Sequence, residues 1–203
     1  IADRLTSAGF TEAINYSFVS DKHGEMCNLG QDDPRRQVVR LLNPISEEQG
    51  VMRSMLLPGL LENVRRNINF QKTDIKLFEL GKVFQPAGDN VQPLETMHLT
   101  GVLCGNRYGE SSPLYFKQEA VDIFDTKGSV EFILSEMGLE RSATPETVHF
   151  AVPQEGCAEP YAEHGYTLDV FYGSEKLGCL GKVQAEVLRR FAIKHEVYFF
   201  DLD

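Results

Sequence analysis

The fold is indicated most clearly by residues Leu41–Phe84, LLNPISEEQGVMRSMLLPGLLENVRRNINFQKTDIKLFELGKVF. Pro44 ends an apolar run, because proline cannot donate to a strand ladder and restricts the residue before it. Pro58 suits the first helical position, and apolar residues then recur at the spacing of one helix face as far as Ile68. The β-prone segment Asp74–Phe84 follows. The stretch therefore predicts an amphipathic helix and then a strand.

The segment before the helix predicts a helix end and two strands. The run Arg4–Gly9 ends in glycine, which readily adopts the left-handed conformation that closes a helix. Alternating apolar residues predict a strand over Phe10–Val19, and Val38–Leu42 is predicted as a second strand. Ser46 and Gln49 have the spacing of a capping box, which predicts a helical turn after Ser46.

The rest of the sequence contains strands in runs rather than in strict alternation with helices. The predicted strands are Met97–Gly105, Tyr166–Tyr172, Lys176–Val183 and Glu196–Leu202, and the predicted helices are Val121–Met137, closed by Gly138, and Gln184–Phe191. Loops are predicted at Asn106–Pro113 and Arg141–Pro145. This order favours an α+β fold with a mostly antiparallel sheet and helices packed to one side of it. We expect residues 1–203 to form a single domain.

Composition limits the classes of function. Hydrophobic residues make up 42% of the 203 residues, which is enough for a sizeable core. A formal net charge of −10 disfavours non-specific nucleic-acid binding by this chain alone. No apolar run approaches the ~20 residues that span a bilayer, so we expect no membrane partner. A start without methionine suggests a piece of a longer protein, and four cysteines without paired spacing fit a cytoplasmic location.

The sequence lacks the common catalytic motifs. It contains no G-x-x-x-x-G-K-[ST] phosphate loop, no G-x-S-x-G elbow and no H-E-x-x-H metal motif. The glycines of Gly178–Lys182 are expected to serve close packing of a strand instead. We therefore assign no catalytic, cofactor-binding or metal-binding residue.

The remaining candidates are structural or belong to an interface. Arg53 lies among apolar residues, and Glu79 on the following strand is a suitable buried partner. The alternative is an arginine whose stem packs on the core while its head reaches water. The other candidates are Pro58, Asn63, Asn67, Asp125, Lys127 and Gly128. Asp125 suits the start of a helix, where a carboxylate complements the dipole; a paired-carboxylate acid–base site is the alternative.

Eight ordered segments resemble the catalytic-like module of the β chain of bacterial phenylalanine–tRNA ligase. They are LTSAGFTEAINYSF (Leu5–Phe18), NPIS (Asn43–Ser46), MRSMLLPGLL (Met52–Leu61), LFELGKVF (Leu77–Phe84), GVLCGNR (Gly101–Arg107), VDIFDTKG (Val121–Gly128), LGCLGKV (Leu177–Val183) and YFFDLD (Tyr198–Asp203). The resemblance covers essentially the whole chain. It implies a class II aminoacyl-tRNA synthetase-like fold, an antiparallel sheet flanked by helices.

The resemblance also implies a place in an α₂β₂ enzyme that joins phenylalanine to tRNA(Phe) using ATP and Mg²⁺. In that family the α subunit holds the active site, the β module packs against it, and other parts of the β subunit contact tRNA. We therefore expect a non-catalytic module, with ATP and Mg²⁺ used by the holoenzyme and no cofactor in this piece. A self-sufficient ATP-dependent ligase domain and an RNA-binding module are the alternatives.

Two features of the resemblance bear on the site. Class II catalysis needs an arginine two residues before an acid on a strand, and this sequence offers Glu79 without that arginine. Gly178, Gly181 and Arg189 resemble only in outline the glycine-rich strand and arginine-bearing helix of the class. The helices Pro58–Asn69 and Val121–Met137 are candidates for the α-subunit contact or its support, unless both apolar stripes face only the domain's own core.

Overall fold

The computed structural model describes residues 1–88, 91–109, 114–139 and 147–203, which contain a seven-stranded sheet and a separate two-stranded sheet. The strands are β1 (Thr11–Glu12), β2 (Phe18–Val19), β3 (Val51–Met52), β4 (Ile75–Gln85), β5 (Leu94–Cys104), β6 (Val148–Ala151), β7 (Ala162–Tyr172), β8 (Glu175–Val183) and β9 (Val197–Leu202). The large sheet has the order β1-β4-β5-β9-β8-β7-β6, and β2 pairs with β3. β1 is parallel to β4, and the other neighbouring pairs are antiparallel.

Helices cover both faces of the large sheet. They are α1 (Ala2–Ser7), α2 (His23–Met26), α3 (Leu57–Asn69), α4 (Ile123–Glu136) and α5 (Ala185–Arg190). The expectation that helices pack to one side is wrong, and β5 shows why. Its last six residues, Leu99–Cys104, are all buried, so side chains pointing to both faces need cover.

Each face has its own hydrophobic core. One core joins α3 and α5 to the sheet through residues such as Leu60, Val102 and Phe199. The other joins α1 and α4 to the sheet through residues such as Val130 and Phe200. The apolar stripes of α3 and α4 are therefore largely used inside the domain. In the part of the chain that the structure describes, no helix is long and apolar enough to cross a membrane.

The prediction of one strand over Phe10–Val19 is wrong. β1 pairs with β4 in the large sheet, whereas β2 pairs with β3 in the small one. Exposure alternates through residues 13–18: Ile14, Tyr16 and Phe18 are exposed, and the residues between them are half-buried. A period of two identifies opposite faces of an extended segment, but it does not tell which face is buried.

Two smaller predictions also differ from the structure. Val38–Leu42 contributes only one isolated bridge, between Arg40 and Val51, so it is not a strand. Ser46 precedes a 3₁₀ turn at Glu47–Gln49, but its side chain makes no capping hydrogen bond there. The turn is present without the predicted capping box.

The local predictions with the strongest turn chemistry are confirmed. β7 and β8 form the predicted hairpin, with Gly173 in the left-handed region at its turn. Gly138 closes α4 with a φ of +80°. β6 was not predicted. The predicted loop Arg141–Pro145 and residues 110–113 of the loop Asn106–Pro113 lie outside the described residues.

Two glycines give a matched test of this packing. A Cβ at Gly101 would lie 2.2 Å from the buried ring of Phe200, whereas a Cβ at Gly128 would meet no atom within 4 Å. We expect Gly101→Ala to lower the free energy of unfolding by about 1–3 kcal/mol through overpacking. Gly128→Ala should raise it by about 0.5–1 kcal/mol, because alanine favours the helix. Urea denaturation measures both changes, and a neutral Gly101→Ala would contradict the packing described.

Candidate functional site

A row of polar side chains crosses the sheet on the face that α3 and α5 cover. The register places Glu79, Thr100, Asp201, Cys179 and Asp169 opposite one another on β4, β5, β9, β8 and β7. Opposite residues of neighbouring strands point to the same face. All but Asp201 are buried, so their polar atoms need partners within the protein. The row begins in a buried cluster at Glu79, and from Asp201 onward it runs along an open groove.

The buried end contains the ion pair that the sequence predicts. Arg53 Nη1 lies 2.5 Å from Glu79 Oε1, and the two side chains are 8% and 4% exposed. Arg53 Nε donates to the carbonyl of Lys82 at 2.8 Å. The alternative of an arginine head in water is therefore wrong for Arg53.

Asn15 connects this ion pair to the segment between β1 and β2. Its Nδ2 donates to Glu79 Oε2 at 2.8 Å, and its backbone N–H donates to Glu79 Oε1 at 3.2 Å. Asn63 on α3 donates to Asn15 Oδ1 at 3.0 Å, and Asn67 donates to the carbonyl of Asn63 at 2.9 Å. We call Asn15, Arg53, Asn63 and Glu79 the clamp. Sequence reasoning missed Asn15, because its type and position carry no signal of a partner 64 residues away.

The surface beside the clamp is apolar. Ile14 and Tyr16 flank Asn15 and are 90% and 78% exposed. Phe18 is also exposed, and it lines a shallow groove together with Leu42 and Ile45, both of which are almost fully exposed. We call Ile14, Tyr16, Phe18, Leu42 and Ile45 the apolar patch. An exposed apolar patch of this kind is typical of an interaction surface.

The other sequence candidates serve their helices. Pro58 is buried in the first turn of α3, one position later than predicted. Asp125 forms a capping box with Asp122 at the start of α4. Lys127 pairs with Glu131 one turn along α4. Gly128 on the same helix has open space around it, and nothing in the structure explains it. These residues do not join the clamp.

The other end of the polar row opens into a groove of about 490 Å³. Three basic side chains line it, Arg35, Lys176 and His98, and carboxylates of the chain lie beside each of them. Arg35 lies 2.8 Å from Asp33 and 2.7 Å from Glu159. Lys176 lies 2.8 Å from Asp169.

The third basic side chain, His98, lies between two carboxylates. Its Nδ1 is 3.2 Å from Asp203 and 3.7 Å from Asp201. His98 lies within β5, and its side chain is mostly buried. Its partners are a hundred residues away in sequence, so their proximity is a product of the fold.

The electrostatics of the groove favour these internal pairs. Partial burial opposes the charges of Arg35 and Lys176, but the hydrogen bonds and charges of their carboxylate partners raise the pKa of both. Burial raises the pKa of the Cys179 thiol well above its usual value, so it remains protonated and is not a nucleophile. Among the described residues, no group of three or more His, Cys, Asp or Glu side chains is arranged to hold a metal ion.

Family comparison agrees with the sequence resemblance. The model of one family, described as the phenylalanyl tRNA synthetase beta chain CLM domain, matches residues 1–203. The chain belongs to the phenylalanyl-tRNA synthetase β-chain family. The phenylalanine–tRNA ligase β subunit of Desulfotalea psychrophila is 59% identical over 203 residues, and that of Syntrophotalea carbinolica is 39% identical over 204. Both alignments cover 100% of this chain, which spans about a quarter of the length of these relatives.

Solved structures confirm the predicted class II synthetase-like fold. Two structures of pyrrolysyl-tRNA synthetase from Desulfitobacterium hafniense match with TM-scores of 0.68 and 0.69. Each match covers 99% of this chain, and 62% and 63% of the respective synthetase chains. The sequence identities are 17% and 18%, so this likeness concerns the fold alone. This chain is thus built on a mostly antiparallel sheet flanked by helices.

Removal of Glu79 tests the buried ion pair. Glu79→Ala leaves the charge of Arg53 buried without its carboxylate, so we expect a loss of about 3–5 kcal/mol in the free energy of unfolding. Glu95→Ala is the matched control, because Glu95 forms an exposed pair with Lys82 at 2.7 Å and should cost less than about 1 kcal/mol. Urea denaturation measures both. Similar losses in the two variants would contradict the burial of the clamp.

His98 predicts a pH-dependent contribution to stability. Partial burial acts to lower the pKa of His98, but the carboxylates of Asp201 and Asp203 outweigh it and hold the pKa above its usual value. Such a histidine adds stability that is fully present below the unfolded pKa of about 6.5 and is lost as the pH rises through the folded pKa. The thermal midpoint of the wild type should therefore exceed that of His98→Gln by more at mildly acidic pH than at alkaline pH. A difference that does not shrink with rising pH would refute this expectation.

Proposed function

We propose that this chain is a non-catalytic module of a phenylalanine–tRNA ligase β subunit, which packs against a catalytic α subunit. In this proposal it belongs to a cytoplasmic α₂β₂ enzyme that charges tRNA(Phe), while ATP and Mg²⁺ act at the α subunit. The observation that carries the proposal is the apolar patch. Its five large apolar side chains are exposed and come from two segments, residues 14–18 and residues 42–45. Phe18 of the first segment lines one groove with Leu42 and Ile45 of the second, so the two segments form one surface.

The groove supports the non-catalytic part of the proposal. Formation of an adenylate places negative charge on a phosphoryl group, and cations must be free to stabilise that charge. Arg35, Lys176 and His98 are instead held by carboxylates of this chain. A nucleotide would have to compete with these pairs in an acidic surrounding. The ligase alternative is therefore less well supported by this site than the structural role.

The identity of the partner is supported by the relatives, which are named as β subunits. The apolar stripes of the two long helices are largely buried in the two cores, so the apolar patch is a better candidate for the contact than either helix. Helix α3 supports the patch rather than forming it, since Asn63 of α3 donates a hydrogen bond to Asn15 at the centre of residues 14–18. The RNA-binding alternative is disfavoured by the net charge of −10.

Assembly of the full-length β subunit with its α subunit tests the proposal. Tyr16→Asp places a charge in the apolar patch, so we expect the affinity for the α subunit to fall by roughly 100-fold or more. Tyr115→Asp is the control, since Tyr115 is 81% exposed and lies outside the patch. Analytical ultracentrifugation and light scattering measure the complex. An intact complex in Tyr16→Asp would exclude packing through the patch.

The same preparations test the absence of catalysis. The β subunit without its α subunit should show no phenylalanine-dependent exchange of pyrophosphate into ATP, and Lys176→Met in the assembled enzyme should leave aminoacylation unchanged. Exchange by the β subunit alone, abolished by Lys176→Met, would favour the ligase alternative.

A further inference from the structure

We propose that the clamp holds the apolar patch in its docking conformation before the α subunit arrives, which makes Asn15 and Glu79 positioning residues for subunit assembly. This inference rests on the proposed function. It explains what holds the surface in shape: a network of buried and half-buried polar side chains directly behind it.

Hydrogen bonds anchor every second residue between Ala13 and Ser17 to the rest of the domain. Ala13 donates its backbone N–H to the carbonyl of Phe78 at 2.7 Å, and the carbonyl of Ser17 accepts from the backbone N–H of Arg53 at 2.9 Å. Between these two anchors, Asn15 is the residue that reaches Glu79. The inward residues are thus bound to β4 and to the chain after β3, and the residues between them are turned outward.

Loss of the middle anchor would free the outward residues. Neither Ile14 nor Tyr16 packs on the core, since both are largely exposed. Without Asn15 in place, the segment between its two outer anchors could adopt several conformations. Only the fraction in the docking conformation could bind, and the apparent affinity falls in proportion to that fraction. The clamp therefore contributes to binding without touching the partner.

Neighbouring glycines leave room for the clamp. A Cβ at Gly81 would lie 2.4 Å from Arg53 Nη2, and a Cβ at Gly59 would lie 3.2 Å from Asn15 Nδ2. Gly81→Ala would therefore displace the flexible end of Arg53 without removing any group of the clamp. This substitution offers a test that does not depend on deleting a charge.

The charges beside the patch indicate the kind of partner it fits. Lys22, Arg65 and Arg66 line a groove of about 620 Å³ that includes Tyr16 and Phe18. None of the three makes an ion pair with another residue that the structure describes. Glu48 and Glu62 line the same groove, Glu62 in a pair with His23, so basic side chains remain in excess there. A partner with an apolar centre and an acidic rim would match this surface. We assign that place to the α subunit, because the relatives of this chain are named as β subunits.

The test uses the full-length β subunit and its α subunit. We expect Asn15→Ala and Gly81→Ala each to weaken binding of the α subunit by about tenfold. This is the loss expected if the docking conformation is populated in about one molecule in ten. The loss should appear mainly in the association rate. Hydrogen exchange at residues 14–18 should become faster in the free β subunit. Asn15→Ala combined with Glu79→Gln should lose little more affinity than either single variant, because both act through one network.

Val130→Ala serves as the control for general destabilisation, because Val130 is buried in the core around α4. It should lower thermal stability while leaving the association rate and exchange at residues 14–18 unchanged. Equal effects of Val130→Ala and Asn15→Ala on association would overturn the positioning role. Unchanged exchange at residues 14–18 in Asn15→Ala would overturn it as well.

Tyr16→Ala separates this inference from the proposed function. If Tyr16→Ala weakens binding but Asn15→Ala and Gly81→Ala do not, the patch docks and the clamp inference alone fails. If none of the three affects α-subunit binding, the proposed packing through the patch fails. If Tyr16→Ala reduces only self-association of the β subunit, the occupant is a second copy, which also overturns the inference.

Discussion

The carboxylate of Glu79 lies buried on β4, where an ionised group is costly unless it is paired and fully hydrogen-bonded. Its partners come from chain segments that are far apart in sequence: Arg53 is 26 residues away and Asn15 is 64. Asn15 in turn accepts from Asn63 on α3. Burial of one charge therefore fixes the relative positions of a strand, a helix and the N-terminal segment.

The polar row shows how one sheet face can support different roles. At one end, the charges are buried and connect elements of the fold. At the other, Arg35, Lys176 and His98 face an open groove but are bound by carboxylates of the same chain. The fold matches that of a solved aminoacyl-tRNA synthetase, yet the fold does not by itself supply chemistry. What matters is whether the cations are free to bind phosphate.

Local patterns in the sequence predicted the elements that depend on local interactions. The helix after Pro58 and the β7–β8 hairpin follow from apolar spacing and from turn residues. The Arg53–Glu79 pair was also predictable, because an arginine in an apolar stretch needs a carboxylate and the next strand offers one. The eight segments shared with the family were sufficient to predict the fold class.

Long-range pairing accounts for what the sequence did not predict. Arg35 and Glu159 are 124 residues apart, and no local pattern links them. The sequence also did not reveal that Ile14, Tyr16 and Phe18 lie on the exposed face of their segment. Which face of the segment is buried depends on the other parts of the chain that pack against it. Helices on both faces were missed because the burial of β5 on two sides arises only in the assembled sheet.

The polar character of the clamp follows from the same alternation. An extended segment that presents Ile14, Tyr16 and Phe18 outward must turn Ala13, Asn15 and Ser17 inward. If the inward residues were also large and apolar, a slip of one residue would cost little, because either face could be buried. Asn15 finds matching donors and acceptors in the observed register. A buried asparagine can specify register in this way at some cost in stability, as it does in coiled coils.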